Sequence, residues 1–542
     1  MPHLFTMPLA NLAVCLLAFT ISNQVQAQHT DAFGHVNGWK LAGDFSFKDK
    51  VSINQTTIGK GLSQIVANEN GFFVAAGKQT SGKGAKVTEA SASIAFFKHG
   101  AQTPSWRKEF MSVLRGNQQT FGGAGPSAQA TPLLIDNRLI HVTFTGQLIC
   151  LDQSDGSMIW EKDLVDEFDA VPVQFGFSSS PMVDPNRQGS IVMLASGKSG
   201  GLLNIDSKTG KLNWKAASDT FSYATPVAAT IENTFQWIIV SEDDVAGISK
   251  DGQRLWSFSM QEKGLTNVPT PLVVGSDQII ISGQGVKGTR CLKISSNGKS
   301  WQATEKWFQP RLQFFYTNWA MLSEDTVVAC TDKYLAVFDS TSGQVLGKFR
   351  GFGDGNLVKL DDDRLLILNG TGDLSVLKTI KENGQLMSLE QTNLFKLADS
   401  GKQRFWTPIA QSGTKLLTRA EDQLIIISME DSNFKSTATR NADNVLTNSK
   451  SLALAQRTKV NQSTTADAQD PVEAITEAFQ QKGQTAAWEL YVQLRKQKKL
   501  TVEHRLELIR VSRQQGLNTL ATTILEHAKK DFPNDQSIQS LK

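Results

Sequence analysis

The chain has 542 residues, and its 55 basic and 52 acidic side chains leave a net charge of +3. That length exceeds one ordinary core and calls for several domains or one large repeat array, while the near-neutral balance leaves no electrostatic footprint for nucleic acid. Hydrophobic residues at 40% and charged residues at 20% exclude a disordered chain, and 11 tryptophans with 42 glycines suit a turn-rich β protein better than a helical enzyme.

The first element is an apolar run, Leu12 to Ile21, followed by polar residues ending in Val25-Gln26-Ala27. The run is too short to cross a membrane, and with its small-residue site it reads as a secretory signal peptide over 1–27. The mature protein is therefore expected in the periplasm or outside the cell. Cys15 lies inside the run after the bulky Val14, so it is not read as a lipidated cysteine. Cys150, Cys291 and Cys330 are an odd number set in separate apolar runs, and they read as buried thiols.

Residues 28–430 read as repeats. A first unit spans about Gly59 to Phe110 and ends near Trp106. Four more regular units follow. They open on Ala130-Thr131-Pro132, Ser179-Ser180-Pro181, Ala224-Thr225-Pro226 and Pro269-Thr270-Pro271, and run to Trp160, Trp214, Trp256 and Trp301. Each has strand-like runs, a glycine turn and a late tryptophan, at a spacing that suits a four-stranded propeller blade. Proline at the opening of a unit can sit at a strand start, where no central ladder bond is lost. Two less regular units run to Phe349 and towards Phe395, and an incomplete one begins at Trp406-Thr407-Pro408. The segment Gly38 to Phe47 (GWKLAGDFSF) has no unit of its own, so it is expected to supply the missing outer strand of the last blade. The fold class is thus all-β, an eight-bladed propeller with seven blades as the alternative.

Residues 431–469 are rich in Ser, Thr, Asn and Asp and read as a flexible linker, with a short helical turn at SLALAQ. Asp470-Pro471 then opens a small all-α domain over 470–542. Leu517, Leu520, Ala521, Ile524, Leu525 and Ala528 follow a helical period there, and two helical hairpins are expected.

The stretch Asn204 to Trp214 (NIDSKTGKLNW) resembles the tryptophan-docking motif of the PQQ-like propeller repeat family. Cys150 to Trp160 matches it with substitutions, and in Val337 to Gly347 a glycine replaces the tryptophan. The unit from Gly247 to Trp256 is one residue short, and in the unit at Cys291 either Trp301 or Trp307 can hold the docking position. The resemblance covers about Gly38 to Met429. It implies that Trp160, Trp214 and Trp256 pack blade against blade. The helical tail resembles tetratricopeptide-type repeats with an incomplete signature.

Two functional classes follow from the resemblance. One is the non-catalytic, BamB-like branch: an exported scaffold or ligand-binding module with protein partners in the cell envelope, touching the membrane only through a partner, without a cofactor. The alternative is a dehydrogenase using PQQ with calcium on alcohols or sugars. The sequence has no adjacent cysteine pair, no HxH or HExxH spacing and no GxSxG elbow. No catalytic, cofactor-binding or metal residue is therefore assigned. Acidic clusters at Asp166/Glu167/Asp169, at 242–244 and at 361–363 read as solvated loops and a hairpin tip. Gly122 to Pro126 lacks the lysine of a phosphate loop. Loops before the Thr/Ser-Pro steps would line one mouth of the funnel, which makes Phe177, Ser178, Tyr223, Asn318 and Trp406 the candidate binding face.

Overall fold

The computed structural model describes residues 52–80, 89–115, 118, 127–196, 201–216, 223–260, 267–283, 286–314, 319–360, 363–382, 385–397, 403–428 and 449–453 of a first unit. Of a second unit it describes 472, 475, 484–496, 500–514, 518–533 and 535–541.

The first unit holds eight antiparallel sheets, in which the strands follow chain order from the innermost outwards. These are the eight blades. Blades 1 to 6 span 66–113, 133–163, 182–216, 227–259, 272–309 and 319–350. Blade 7 is built from 356–396 and blade 8 from 410–428. The outer strand of blade 8 comes from the other end of the chain: Ser52–Thr57 pairs antiparallel with Gln423–Ser428. A strand preceding the repeats therefore closes the ring, as expected, but it starts at Ser52. The segment 38–47 lies outside the described residues. Closure by a distant strand removes a free edge and ties the two ends of the ring by backbone hydrogen bonds.

Each blade buries both faces of its middle strands against its neighbours. Thus Ser190–Ala195 is buried throughout, and so is Thr326–Cys330. Runs such as SIVMLA and TVVAC are continuous rather than alternating for this reason. The outer strands alternate instead, as in Trp106–Val113, because one of their faces meets water.

The expected linker contains structure. Ser449–Ala453 is a strand that pairs antiparallel with residues 388–392 and makes blade 7 five-stranded. The helical turn expected at SLALAQ is thus corrected. A neighbouring sheet edge offers its backbone groups a ladder, and this overrides the helical preference of Leu and Ala. The rest of 431–469 lies outside the described residues.

The second unit has helices Gln484–Lys496, Val502–Gln514, Asn518–Asp531 and Gln536–Gln539. Its core gathers Ile475, Tyr491, Leu508, Ile509, Ile524 and Leu525. Arg505 is buried in it, donating to the Tyr491 hydroxyl at 2.9 Å and to Asp531 at 2.8 Å.

Candidate interaction surface and the blade seams

The docking motif works through one bulge. In blades 2, 3, 4 and 5 the first motif residue lies opposite the tryptophan: Cys150 opposite Trp160, Asn204 opposite Trp214, Gly247 opposite Trp256 and Cys291 opposite Trp307. A register shift follows immediately in each case. Trp307, not Trp301, therefore holds the position in blade 5. In blade 6 Gly347 takes it, opposite Val337.

In blades 2 and 5 the indole beside the bulge reaches the next blade, and in blade 1 Trp106 does so without a register shift. Trp160 donates from Nε1 to the carbonyl of Ser207 at 3.0 Å, Trp307 to that of Ser340 at 2.9 Å, and Trp106 to that of Gln153 at 3.2 Å. Each ring lies over a turn glycine of the next blade, Gly210, Gly343 and Gly156 respectively. These glycines have φ near +70°, and a Cβ on any of them would meet the indole at 3.0 Å or less. The aspartate of the motif builds the turn. Asp206 accepts from the backbone N–H of Lys208 and Thr209 and from the Thr209 hydroxyl, and these bonds, led by that of the hydroxyl, lower its pKa.

Two of the three expected docking tryptophans depart from this pattern. Trp214 lies over Gly252, but its buried Nε1 has no partner. The facing turn in blade 4 is one residue shorter: the Gly252 N–H donates to the carbonyl three residues back, at Ser249, where the Gly210 N–H donates to that four back, at Asp206. Trp256 turns to its own blade and donates to Gln236 Oε1 at 2.7 Å. It still packs between blades 4 and 5, among Ile279, Leu292 and Ile294.

The Thr/Ser-Pro steps carry a second, inner ring of contacts, which sequence reading missed. Gln64 N–H donates to Thr131 Oγ1, Thr131 N–H to Ser180 Oγ, and Ser180 N–H to Thr225 Oγ1, at 3.0 Å on average, linking blades 1 to 4 in series. Gln64 Nε2 reaches the Ile409 carbonyl at 3.3 Å across the closure, and Trp319 Nε1 donates to the Thr270 carbonyl at 2.8 Å between blades 5 and 6. The hydroxyls of Thr131, Ser180 and Thr225, each before a proline, are thus straps between neighbours.

Most of the expected binding face lies inside the packing. Tyr223 is buried, and its hydroxyl accepts from the Phe175 N–H; burial pushes its pKa up to about 12. Ser178 is buried and donates to the Tyr223 carbonyl at 3.2 Å. Phe177 is buried against Gly146. Of the five, Trp406 alone is seen partly exposed, and Asn318 lies outside the described residues. The physical reason is the channel. Val173, Tyr223 and Val268, with Leu62 and Phe175 beside them, form one apolar cluster. Leu62 precedes the inner strand of blade 1 and Val268 that of blade 5, which stand opposite in an eight-membered ring. These side chains meet only by filling the channel mouth.

Trp406 belongs to a polar site between blades 6, 7 and 8. The Arg404 guanidinium sits 5.1 Å from its ring centre, and its indole bonds to Asp354. Burial, and then the Asp332 carboxylate, raise the pKa of Asp354 to about 6. The acidic clusters are tied up in ion pairs: Asp166 with Arg115, Glu167 with Lys162, Asp169 with Lys215, Asp244 with Arg254 and Asp363 with Lys381. Among the described residues no three His, Cys, Asp or Glu side chains converge. Cys150, Cys291 and Cys330 are buried free thiols, and burial raises the pKa of each.

One small cleft lies between blades 1 and 2, lined by Ser91, Ser112, Ser127, His141 and Thr143 among others. Both ring nitrogens of buried His141 are without a protein partner, and burial lowers its pKa to about 3.

The outer surface carries a second feature. The exposed large apolar side chains of the described residues are Met111, Val113, Met158, Ile159 and Val171. All lie on the outer strands of blades 1 and 2 or on the connection leaving blade 2.

The family described as "Outer membrane protein assembly factor BamB" matches residues 93–349, from the third strand of blade 1 to the outer strand of blade 6. No curated protein matches the chain. Among solved structures, BamB from Moraxella catarrhalis is 12% identical with a TM-score of 0.45, over 71% of this chain and 99% of that one. The Neurospora crassa Pan2 WD40 domain is 10% identical with a TM-score of 0.37, over 73% of this chain and 100% of that one. The matched stretch thus runs from blade 1 to blade 6 of the eight, and over it the chain is similar to the BamB-like, PQQ-like β-propeller repeat family.

Proposed function

We propose that this protein is an exported, non-catalytic scaffold of the cell envelope that binds other proteins through its propeller. The observation that carries the reading is the gathering of exposed apolar side chains on blades 1 and 2, Met111 and Val113 foremost. A soluble surface keeps such side chains scattered, and their concentration on one sector suits a protein interface. The apolar plug of Leu62, Phe175, Val173, Tyr223 and Val268 supports the same reading. A flat quinone at that mouth would have to displace it. Export rests on the leader at 1–27, and a role beside outer-membrane assembly rests on the matched family.

Photo-crosslinking from position 111 in intact cells tests this. The expected product is a discrete adduct with an envelope protein, lost when Val113→Lys is added. An adduct pattern unchanged by Val113→Lys counts against the reading. So does quinone absorption with dye-linked alcohol oxidation after loading purified protein with PQQ and calcium.

A further inference from the structure

Seven blades have four strands, and blade 7 has five. Its fourth strand, Gln385–Lys396, is twelve residues long, the longest strand among the described residues. The fifth strand is only SKSLA, Ser449–Ala453, which pairs from Ser388↔Ala453 to Thr392↔Ser449. Blade 7 is therefore a complete blade whose outer edge has accepted one strand more.

The added strand is a poor one by composition. Two serines, a lysine and an alanine surround a single leucine, without a β-branched or aromatic residue. On both sides the sequence is rich in Ser, Thr, Asn and Asp. A short ladder gains little more than ordering its residues costs. The hydrophobic contacts of the blade do not depend on it: Leu377 and Leu389 are packed with Val337, Leu346 and Leu357 of blades 6 and 7. The strand can leave without dismantling a core.

The register states what the edge selects. Leu452 stands opposite Leu389 and Lys450 opposite Gln391 on one face of the sheet, while Glu390 and Ser451 stand opposite each other on the other face. An incoming antiparallel strand thus meets an apolar position at Leu389 and, two residues before its own apolar residue, the amide of Gln391.

We propose that the edge at 388–392 is a strand-receiving site which the chain's own 449–453 occupies as a replaceable ligand. Its exchange partner is an extended segment of another protein with a polar, hydrogen-bonding residue two positions before an apolar one. Main-chain ladder bonds supply the affinity and the alternate side chains the selection, as in strand addition generally. The proposal rests on the scaffold reading and adds to it a site distinct from blades 1 and 2, closed by the chain itself until a better strand arrives.

The test uses the full chain in three forms and a fluorescein-labelled peptide of residues 445–457. The open form is Lys450→Gly/Leu452→Pro. The locked form is Gln391→Cys/Lys450→Cys, oxidised. The peptide should bind the open form at least tenfold more tightly than the unaltered chain, and the locked form not at all. A peptide carrying Leu452→Pro should bind none of them. Amides at 388–392 should exchange faster in the open form and be protected again by the peptide. Equal binding by open and locked forms, or equal binding of both peptides, overturns the proposal, as does unchanged amide exchange at 388–392. Crosslinking from position 111 is read separately, so loss of this site leaves the scaffold reading standing or falling on its own result.

Discussion

The guanidinium of Arg419 occupies the space that a side chain on Gly61 would need: a Cβ on Gly61 would lie 1.5 Å from Arg419 Nη1. Arg419 belongs to blade 8 and is wholly buried, and its Nη2 donates to the Ala75 carbonyl of blade 1 at 2.6 Å. The two residues meet across the seam where the ring closes. Burial lowers the arginine's pKa to about 9, so this position holds a costly cation that Gly61 alone makes room for. Gly61→Ala should cost about 3 kcal/mol, as overpacking against an unyielding neighbour does. Adding Arg419→Met, which removes the planar head, should recover most of that loss. Urea denaturation of the single and double variants checks this, and simple additivity would show that the two do not share the space.

The docking tryptophans divide by whether their indole is satisfied. Trp160→Phe removes the bond to the Ser207 carbonyl and should cost about 1–2 kcal/mol. Trp214→Phe removes an N–H that is buried without a partner, so it should cost less than about 0.5 kcal/mol or stabilise. Trp214→Ala, which deletes the whole contact with Gly252, should cost about 3 kcal/mol. Thermal denaturation of the three variants provides the comparison. Equal losses for the two phenylalanine variants would mean that the short turn of blade 4 still offers Trp214 a carbonyl.

What the sequence made legible here was the part that repeats. The Thr/Ser-Pro step, the aspartate turn and the tryptophan recur because each blade solves the same packing problem. The choice between Trp301 and Trp307 stayed open because it depends on a bulge after Cys291, and bulges leave no periodic signal. The closing strand was placed too early because SINQTT is polar at every position but Ile53 and carries a buried asparagine, Asn54. The funnel face failed for a different reason. Whether Tyr223 is a rim or a plug depends on Leu62 and Val268, which lie far away in sequence and arrive only when the ring closes. Arg419 and His141 look like ordinary interruptions of apolar strands until their neighbours are known.

Two buried groups should act on stability in opposite directions as pH changes. Asp354 has its pKa raised from the ordinary 3.8 to about 6, so the folded form binds the proton more readily and stability falls as pH rises between those values. Asp354→Asn keeps an acceptor for Trp406 and removes the charge. It should stabilise at pH 7 by about 1 kcal/mol after discounting for partial exposure, and have no effect below pH 4 or so. His141 has its pKa lowered from 6.5 to about 3, so the unfolded form binds the proton more readily and stability falls as pH drops through that window. His141→Leu should flatten the acid side of the stability profile. Melting temperatures of the two variants across pH 3 to about 8 decide it, and parallel profiles for variants and parent would refute both assignments.

The helical unit should unfold by itself. Its core is its own, and one buried charge network holds it: Arg505 is 2% exposed and bonds to Asp531, while Arg495 forms a two-bond pair with the same carboxylate at 2.6 and 2.7 Å. The bonds from Arg495, and then from Arg505, lower the pKa of Asp531 to about 2. A carboxylate with a depressed pKa stabilises above its ordinary range near 3.8, and that contribution is lost as pH falls toward 2. Asp531→Ala strands Arg505 in the core without its counter-charge, which should cost about 3 kcal/mol. A propeller whose ring is closed by Ser52–Thr57 gains nothing from that network. Calorimetry of the full chain should therefore show two transitions, of which Asp531→Ala lowers one and leaves the other in place. Cleavage beyond residue 457 should remove the sensitive transition and preserve the other, with the fifth strand of blade 7 kept on the propeller side. A single transition shifted as a whole by Asp531→Ala would mean that the two units fold as one.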